Sequence, residues 1–151
     1  MKPIAFMLSA AALIASAGAL AQQQDASPMV FIPEFEVQPA QRDYIANYPP
    51  RALRENISSI VVLCCDERAG DLGLDCAVNS EWPAGQGFGA ASLRAAQAYR
   101  LTPQSHADLA ARPGVQVRLS VRWVGPVSTP EIIEDLRRRD RESAEACLAP
   151  A

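Results

Sequence analysis

Ile57-Ser58-Ser59-Ile60-Val61-Val62-Leu63-Cys64-Cys65-Asp66 and, past a break at Gly70, Asp71 and Gly73, Leu74-Asp75-Cys76-Ala77-Val78-Asn79 together read as a β-hairpin. The centre of the first segment is β-branched and apolar without interruption, which is the pattern of a buried strand. In the second, Leu74, Cys76 and Val78 alternate with Asp75, Ala77 and Asn79, so one face is apolar and the other more polar. Pairing Leu63 with Val78 places Cys65 opposite Cys76. Both sulfurs then share a face with Leu63, Leu74 and Val78, while Cys64 points to the opposite face.

Upstream, Tyr48-Pro49-Pro50 leads into a short helix over Pro50-Arg51-Ala52-Leu53-Arg54-Glu55-Asn56, since proline suits the first helical position. Downstream, Glu81 to Gly87 is a loop, and an Ala-rich helix runs from Phe88 to Arg100 with Leu93, Ala96 and Tyr99 on one face. Thr102-Pro103 ends it, and residues 104–114 form a polar connection. Val115-Gln116-Val117-Arg118-Leu119-Ser120-Val121-Arg122-Trp123 alternates throughout, predicting a strand whose odd positions pack and whose even positions meet water. Thr129 then caps a charged helix over 130–147, with Pro130 at its first position. Its expected i,i+4 pairs are Glu134–Arg138, Arg138–Glu142 and Arg141–Glu145. Its apolar stripe (Ile132, Ile133, Leu136, Ala144, Cys147 and Leu148) is thin, which predicts a loosely docked tail. The expected fold class is α+β: a three-stranded antiparallel sheet with two helices packed on it, in the order α-β-β-α-β, plus a C-terminal charged helix.

The chain begins with Lys2, an apolar run from Ile4 to Leu20, and Ala19-Leu20-Ala21 before Gln22. This is the pattern of an export signal cleaved after Ala21. The run is diluted by Ala, Ser and Gly and is shorter than the roughly 20 apolar residues of a spanning helix. The expected parts are a signal peptide (1–21), an extended arm punctuated by Pro28, Pro33 and Pro39 (22–47), one domain (48–124) and a tail (125–151). Loss of Lys2 with the leader takes the formal charge from −3 to −4 and leaves no lysine. A net acidic chain lacks the basic footprint of a nucleic-acid binder. Arg137-Arg138-Arg139, set among Glu134, Asp135, Asp140 and Glu142, reads as a self-neutralising helix face. Aromatic residues make up only 6% of the chain, which argues against a large aromatic-lined pocket.

Four cysteines in an exported chain read first as disulfide partners. A Cys65–Cys76 bond would close a loop of about a dozen residues and contribute roughly 2–3 kcal/mol. Cys64 and Cys147 remain open between bonding to each other, staying free and linking two molecules. A redox or metal site at Cys64-Cys65 lacks both a CxxC spacing and a nearby histidine. His106 sits beside Gln104, Ser105 and Asp108 and reads as a solvated loop residue. Gly85-Gln86-Gly87-Phe88-Gly89 lacks the Lys-Ser/Thr ending of a phosphate loop and reads as a turn into a helix. Asp66, Glu67, Asp71 and Asp75 read as a solvated turn. No catalytic constellation emerges, and no cofactor, metal or small-molecule substrate is expected.

The order of these motifs resembles the C-terminal domain of the TonB energy-transducer family. The resemblance covers residues 48–124 and rests on Tyr48-Pro49 with Ala52, Val61-Val62-Leu63, Leu74 to Glu81, Leu93 to Pro103, and Val115 to Trp123. Asp75-Cys76-Ala77-Val78-Asn79-Ser80-Glu81, running into Gly85-Gln86-Gly87-Phe88-Gly89, is similar to a cysteine-containing branch with one cysteine on each hairpin strand, matching Cys65 and Cys76. Leu101 stands where an aromatic is usual. Family transducers also carry an uncleaved membrane helix and a long proline-rich spacer, where this chain has a cleavable leader and a short arm.

The resemblance implies a periplasmic, protein-binding domain associated with TonB-dependent transport across the outer membrane. It implies that the last strand, Val115 to Trp123, receives an extended transporter peptide by strand addition. Two alternatives stand beside it: a membrane-anchored transducer facing the periplasm, with residues 4–20 uncleaved, and a cysteine-based redox or metal-handling envelope protein. Leader cleavage separates the first two, and thiol and metal titration tests the third.

Overall fold

Ten elements form in the computed structural model, which describes residues 31–148. In chain order they are β1 (Phe35–Val37), α1 (Gln41–Asn47), α2 (Pro50–Arg54), β2 (Ser59–Glu67), β3 (Leu74–Trp82), α3 (Phe88–Ala96), β4 (Arg100–Leu101), α4 (Pro103–Ala110), β5 (Val117–Trp123) and α5 (Pro130–Glu142). The fold is α+β, with one three-stranded antiparallel sheet in the order β3-β2-β5 and one two-stranded sheet of β1 and β4. The leader, residues 1–21, lies outside the described residues. Among the described residues, no helix is long and apolar enough to cross a membrane.

β2 is central because both of its faces are apolar, so each face needs a covering layer. On the first face Val61, Leu63 and Cys65 join Leu74 of β3 and Val117, Leu119, Val121 and Trp123 of β5. α3 closes this face with Phe88, Ala91 and Ala96. Trp123 stands at the centre of an aromatic cluster, with Tyr44, Tyr48 and Phe88 at ring-centroid distances of 5.6, 5.5 and 5.7 Å. Its indole N–H donates to the buried Ser92 hydroxyl at 2.9 Å, which satisfies the one polar atom the ring brings into the core.

The hairpin register pairs Leu63 with Val78 and Cys65 with Cys76, as the alternation predicts, and Cys65 and Cys76 are joined by a disulfide. Cys64 is joined to Cys147 across a sequence separation of 83, which selects one of the three fates left open for that pair. Vicinal cysteines thus serve opposite faces of one strand.

Four expectations need correction. Residues 22–47 do not form only an extended arm: 35–37 pair with β4, and 41–47 form α1, where the Asp43 carboxylate accepts from the Ala40 N–H at 2.7 Å. The α3 helix stops at Ala96 rather than Arg100, because Arg100 and Leu101 leave to pair with β1 and Tyr99 packs on Phe35 at 4.8 Å. The polar connection contains α4, so His106 is helical and partly buried. Thr102 Oγ1 accepts from the Ser105 N–H at 3.2 Å, and Pro103 opens the helix.

The fourth correction concerns the even positions of β5. Arg118 and Ser120 do not face water, because α5 covers that part of the sheet, while Arg122 near the end of the strand stays exposed as expected. Ile60, Val62 and Cys64 are buried beneath α5, and Leu136 is fully buried. The tail helix is therefore firmly docked rather than loose. It is regular only to Glu142, and Cys147 reaches Cys64 from the turns beyond.

Candidate functional site

A strand at the end of a sheet leaves half of its backbone polar groups without a sheet partner. This sheet has two such ends. β3 is broken by a register shift: Val62 pairs with Ser80 and Leu63 with Val78, so Asn79 is unpaired. A bulge of this kind twists an edge and blunts it. β5 holds an unbroken register with β2 from Val117 to Trp123 and has a strand neighbour on one side only. It is the regular edge.

Which groups it presents follows from the ladder. The Arg68 N–H donates to the Gly73 carbonyl at 3.0 Å, so even-numbered residues of β2 turn their backbone groups toward β3 and odd-numbered ones toward β5. The Cα separation of 4.0 Å between Cys65 and Cys76 agrees, being that of a non-hydrogen-bonded pair. Val117, Leu119, Val121 and Trp123 therefore bond to β2, and the N–H and C=O groups of Arg118, Ser120 and Arg122 face outward. Of the residues expected to form this edge, Val115 and Gln116 precede the strand proper. The Gln116 amide instead donates to the Asp66 carboxylate at 3.1 and 3.2 Å.

Beside the C-terminal half of β5 lies a groove of about 260 Å³ lined by Gln41, Tyr44, Ile45, Tyr48, Arg122, Trp123 and Val124. One wall is α1, whose presence the sequence reading missed. The signal was there: Asp43 stands three residues after Ala40, and Tyr44 and Tyr48 share a helix face. Burial and a hydrogen bond with Tyr99 at 3.3 Å push the Tyr44 phenol up, and burial pushes up that of Tyr48. Both rings stay neutral near pH 7. Tyr48 donates to the Ile57 carbonyl at 2.6 Å, which fixes the wall.

The odd side chains of β5 are buried in the core of the first face, and Arg118 is anchored on the second. Arg118 crosses the second face and donates to the Asp140 carboxylate at 2.6 Å, and to the Ser143 and Asp140 carbonyls at 2.9 Å each. Burial would raise the Asp140 carboxyl, but the hydrogen bond and charge of Arg118 outweigh it and hold the group below the usual range. A depressed folded-state pKa contributes stability above the unfolded value near 4 and loses it as pH falls through the folded value. The expected result is that the protection of α5 amides, relative to their intrinsic exchange rates, falls as pH drops below about 4. Asp140→Asn should remove part of that acid limb. Glu134 and Asp135 are also held low by hydrogen bonds from Arg141 and Arg139, so the remainder persists.

The other expected features resolve into structural roles. Glu81 Oε1 accepts from the Phe88 N–H at 3.0 Å, so a carboxylate of the chain already occupies the start of α3. Gly89 sits where a Cβ would press on Glu81 and Val78, allowing α3 to lie close to β3. Arg68 pairs with Asp71 and Asp75 at the hairpin turn. Arg139 stacks over Trp82 at 3.6 Å, tying α5 to β3. Among the described residues, no group of three or more His, Cys, Asp or Glu side chains is placed to hold a metal ion. No protein-family model, curated protein or solved structure matches this chain.

Proposed function

We propose that this chain is an exported, TonB-like protein-binding domain of the periplasm that takes an extended segment of a partner onto the outer edge of β5. The partner class is a TonB-dependent outer-membrane transporter or a related envelope protein. The observation that carries the reading is the outward row of backbone groups at Arg118, Ser120 and Arg122, set against the bulged edge at β3. An added strand would satisfy that row, and every second side chain of the strand would face the groove beside α1. The motif order from Tyr48-Pro49 to Trp123 supplies the partner class. The reading involves no chemistry by the domain itself, and both cysteine pairs act in it as staples.

Ser120→Pro removes one outward N–H while leaving the bonds to β2 in place. It is expected to weaken binding of a transporter-derived peptide about tenfold, the scale of one backbone hydrogen bond. Backbone amide shifts on peptide addition should centre on residues 117–123 and on Tyr44 and Ile45. Shifts that avoid these residues would overturn edge addition, as would a Ser120→Pro variant that folds and binds undiminished.

A further inference from the structure

Eight large apolar side chains are conspicuously exposed among the described residues, and four of them gather at one end of the sheet. Ile45 is 68% exposed, Leu53 46%, Val124 48% and Val127 73%. Ile45 and Val124 line the same groove. The Asn56 side chain, just past α2, accepts from the Val127 N–H at 2.9 Å and donates to its carbonyl at 3.0 Å, so Val127 is held beside the helix that carries Leu53. Scattered apolar residues need no account, but a cluster rimmed by an excess of one sign of charge does.

The rim is basic. Arg42 shares α1 with Ile45, Arg51 and Arg54 share α2 with Leu53, Arg122 lines the groove with Ile45 and Val124, and Arg94 donates to the Asn47 side chain at 3.0 Å. The local carboxylates are fewer and engaged: Asp43 with the start of α1 and with Arg42 at 3.8 Å, Glu55 with Arg51 at 2.9 Å, and Glu131 with Thr129 at the start of α5. Arg54 and Arg122 have no ion pair among the described residues. At the opposite end of β2, the turn carries Asp66, Glu67, Asp71 and Asp75 against Arg68, with Arg100 also near Asp71. An acidic chain is thus polarised along its sheet, with positive charge and exposed aliphatic groups together at one pole.

We infer that this pole docks on an anionic phospholipid surface. Ile45, Leu53, Val124 and Val127 would enter the interface, with the arginines among the headgroups and the acidic turn directed away. A charged plane orients such a dipole before contact, and protruding aliphatic groups find a deformable apolar medium on arrival. This goes beyond strand addition and does not require it: Leu53 and Val127 lie outside the groove beside β5.

The test is co-sedimentation of the protein, as isolated from cells, with phosphatidylglycerol–phosphatidylethanolamine vesicles and with phosphatidylcholine vesicles. Any contribution of residues 1–21 is common to every variant. Binding should favour the anionic vesicles and fall with added salt. Arg42→Gln with Arg54→Gln should weaken it about thirtyfold, the scale expected for two arginines near a charged surface. Leu53→Glu with Val127→Glu, at positions already exposed, should abolish it while leaving β5 peptide binding intact. Equal partitioning of the wild-type protein and both double variants would overturn the inference. So would a patch that ignores vesicles but captures a soluble acidic peptide, which would make it a second protein interface.

Discussion

Replacing Cys64 and Cys147 together by alanine is expected to lower the unfolding free energy by about 4–5 kcal/mol, the chain-entropy value for a loop of this length. The separation of 83 residues, against 11 for Cys65–Cys76, makes it the larger of the two constraints on the unfolded chain. The corresponding value for Cys65–Cys76 is about 3 kcal/mol. A loss of this size is a large share of a domain's total stability. Urea unfolding of the two double-alanine variants reads the difference directly. Besides the bond, the helix is held by the fully buried Leu136, the Arg118–Asp140 pair and Arg139 on Trp82. A fall well short of 4 kcal/mol, with protease cleavage beyond residue 128, would mean that α5 detaches and leaves the rest of the fold standing. A fall of the same size in both variants would overturn the loop-length account.

Trp123→Ala should cost about 3–5 kcal/mol and lower Tm by roughly 15 °C. The indole is 2% exposed, and its removal would open a void facing Tyr44, Tyr48 and Phe88 at once, residues of three different helical or turn segments that cannot all close over it. Trp123→Phe separates the polar part from the packing part. It keeps an aromatic ring but strips the donor from the Ser92 hydroxyl, which is fully buried, and should cost about 1–3 kcal/mol more than the lost volume explains. Adding Ser92→Ala should recover most of that increment, since removing both partners leaves no orphaned group. Thermal melts of the four proteins would decide it. If Trp123→Phe alone is neutral, the hydrogen bond contributes nothing net. If Trp123→Ala costs under 1 kcal/mol, the cluster is not the keystone of the first face.

Two features of the site were legible in the chain itself. Alternation in 115–123 gives the inward set Val117, Leu119, Val121 and Trp123, because side chains of a strand reverse at every residue. The same rule, applied to Leu63 with Val78, gives the facing of Cys65 and Cys76. Local chemistry was misread where one signal had two uses. Thr129-Pro130 reads as the start of a helix, and α5 begins there. Thr102-Pro103 is the same pair, read as the end of α3, and it starts α4. A cap looks the same from either side until the next element is known.

What the amino-acid order determined by itself was therefore the hairpin, its register, the alternating last strand and the capped tail helix, all set by interactions between residues close in sequence or by strict period-two geometry. The tertiary structure alone decided what lies on the second face. Arg118, Ser120 and Arg122 are polar enough to face water, and only Ile60, Val62 and Cys64 on the neighbouring strand hinted that this side needed a cover. The cover is α5, joined through Cys147 to a cysteine 83 residues earlier. Nothing local encodes that pairing, because it depends on where a helix lands after the whole sheet has formed. It also leaves the backbone of β5 and the Arg122 side chain, rather than Arg118 or Ser120, as the outward-facing part of the strand.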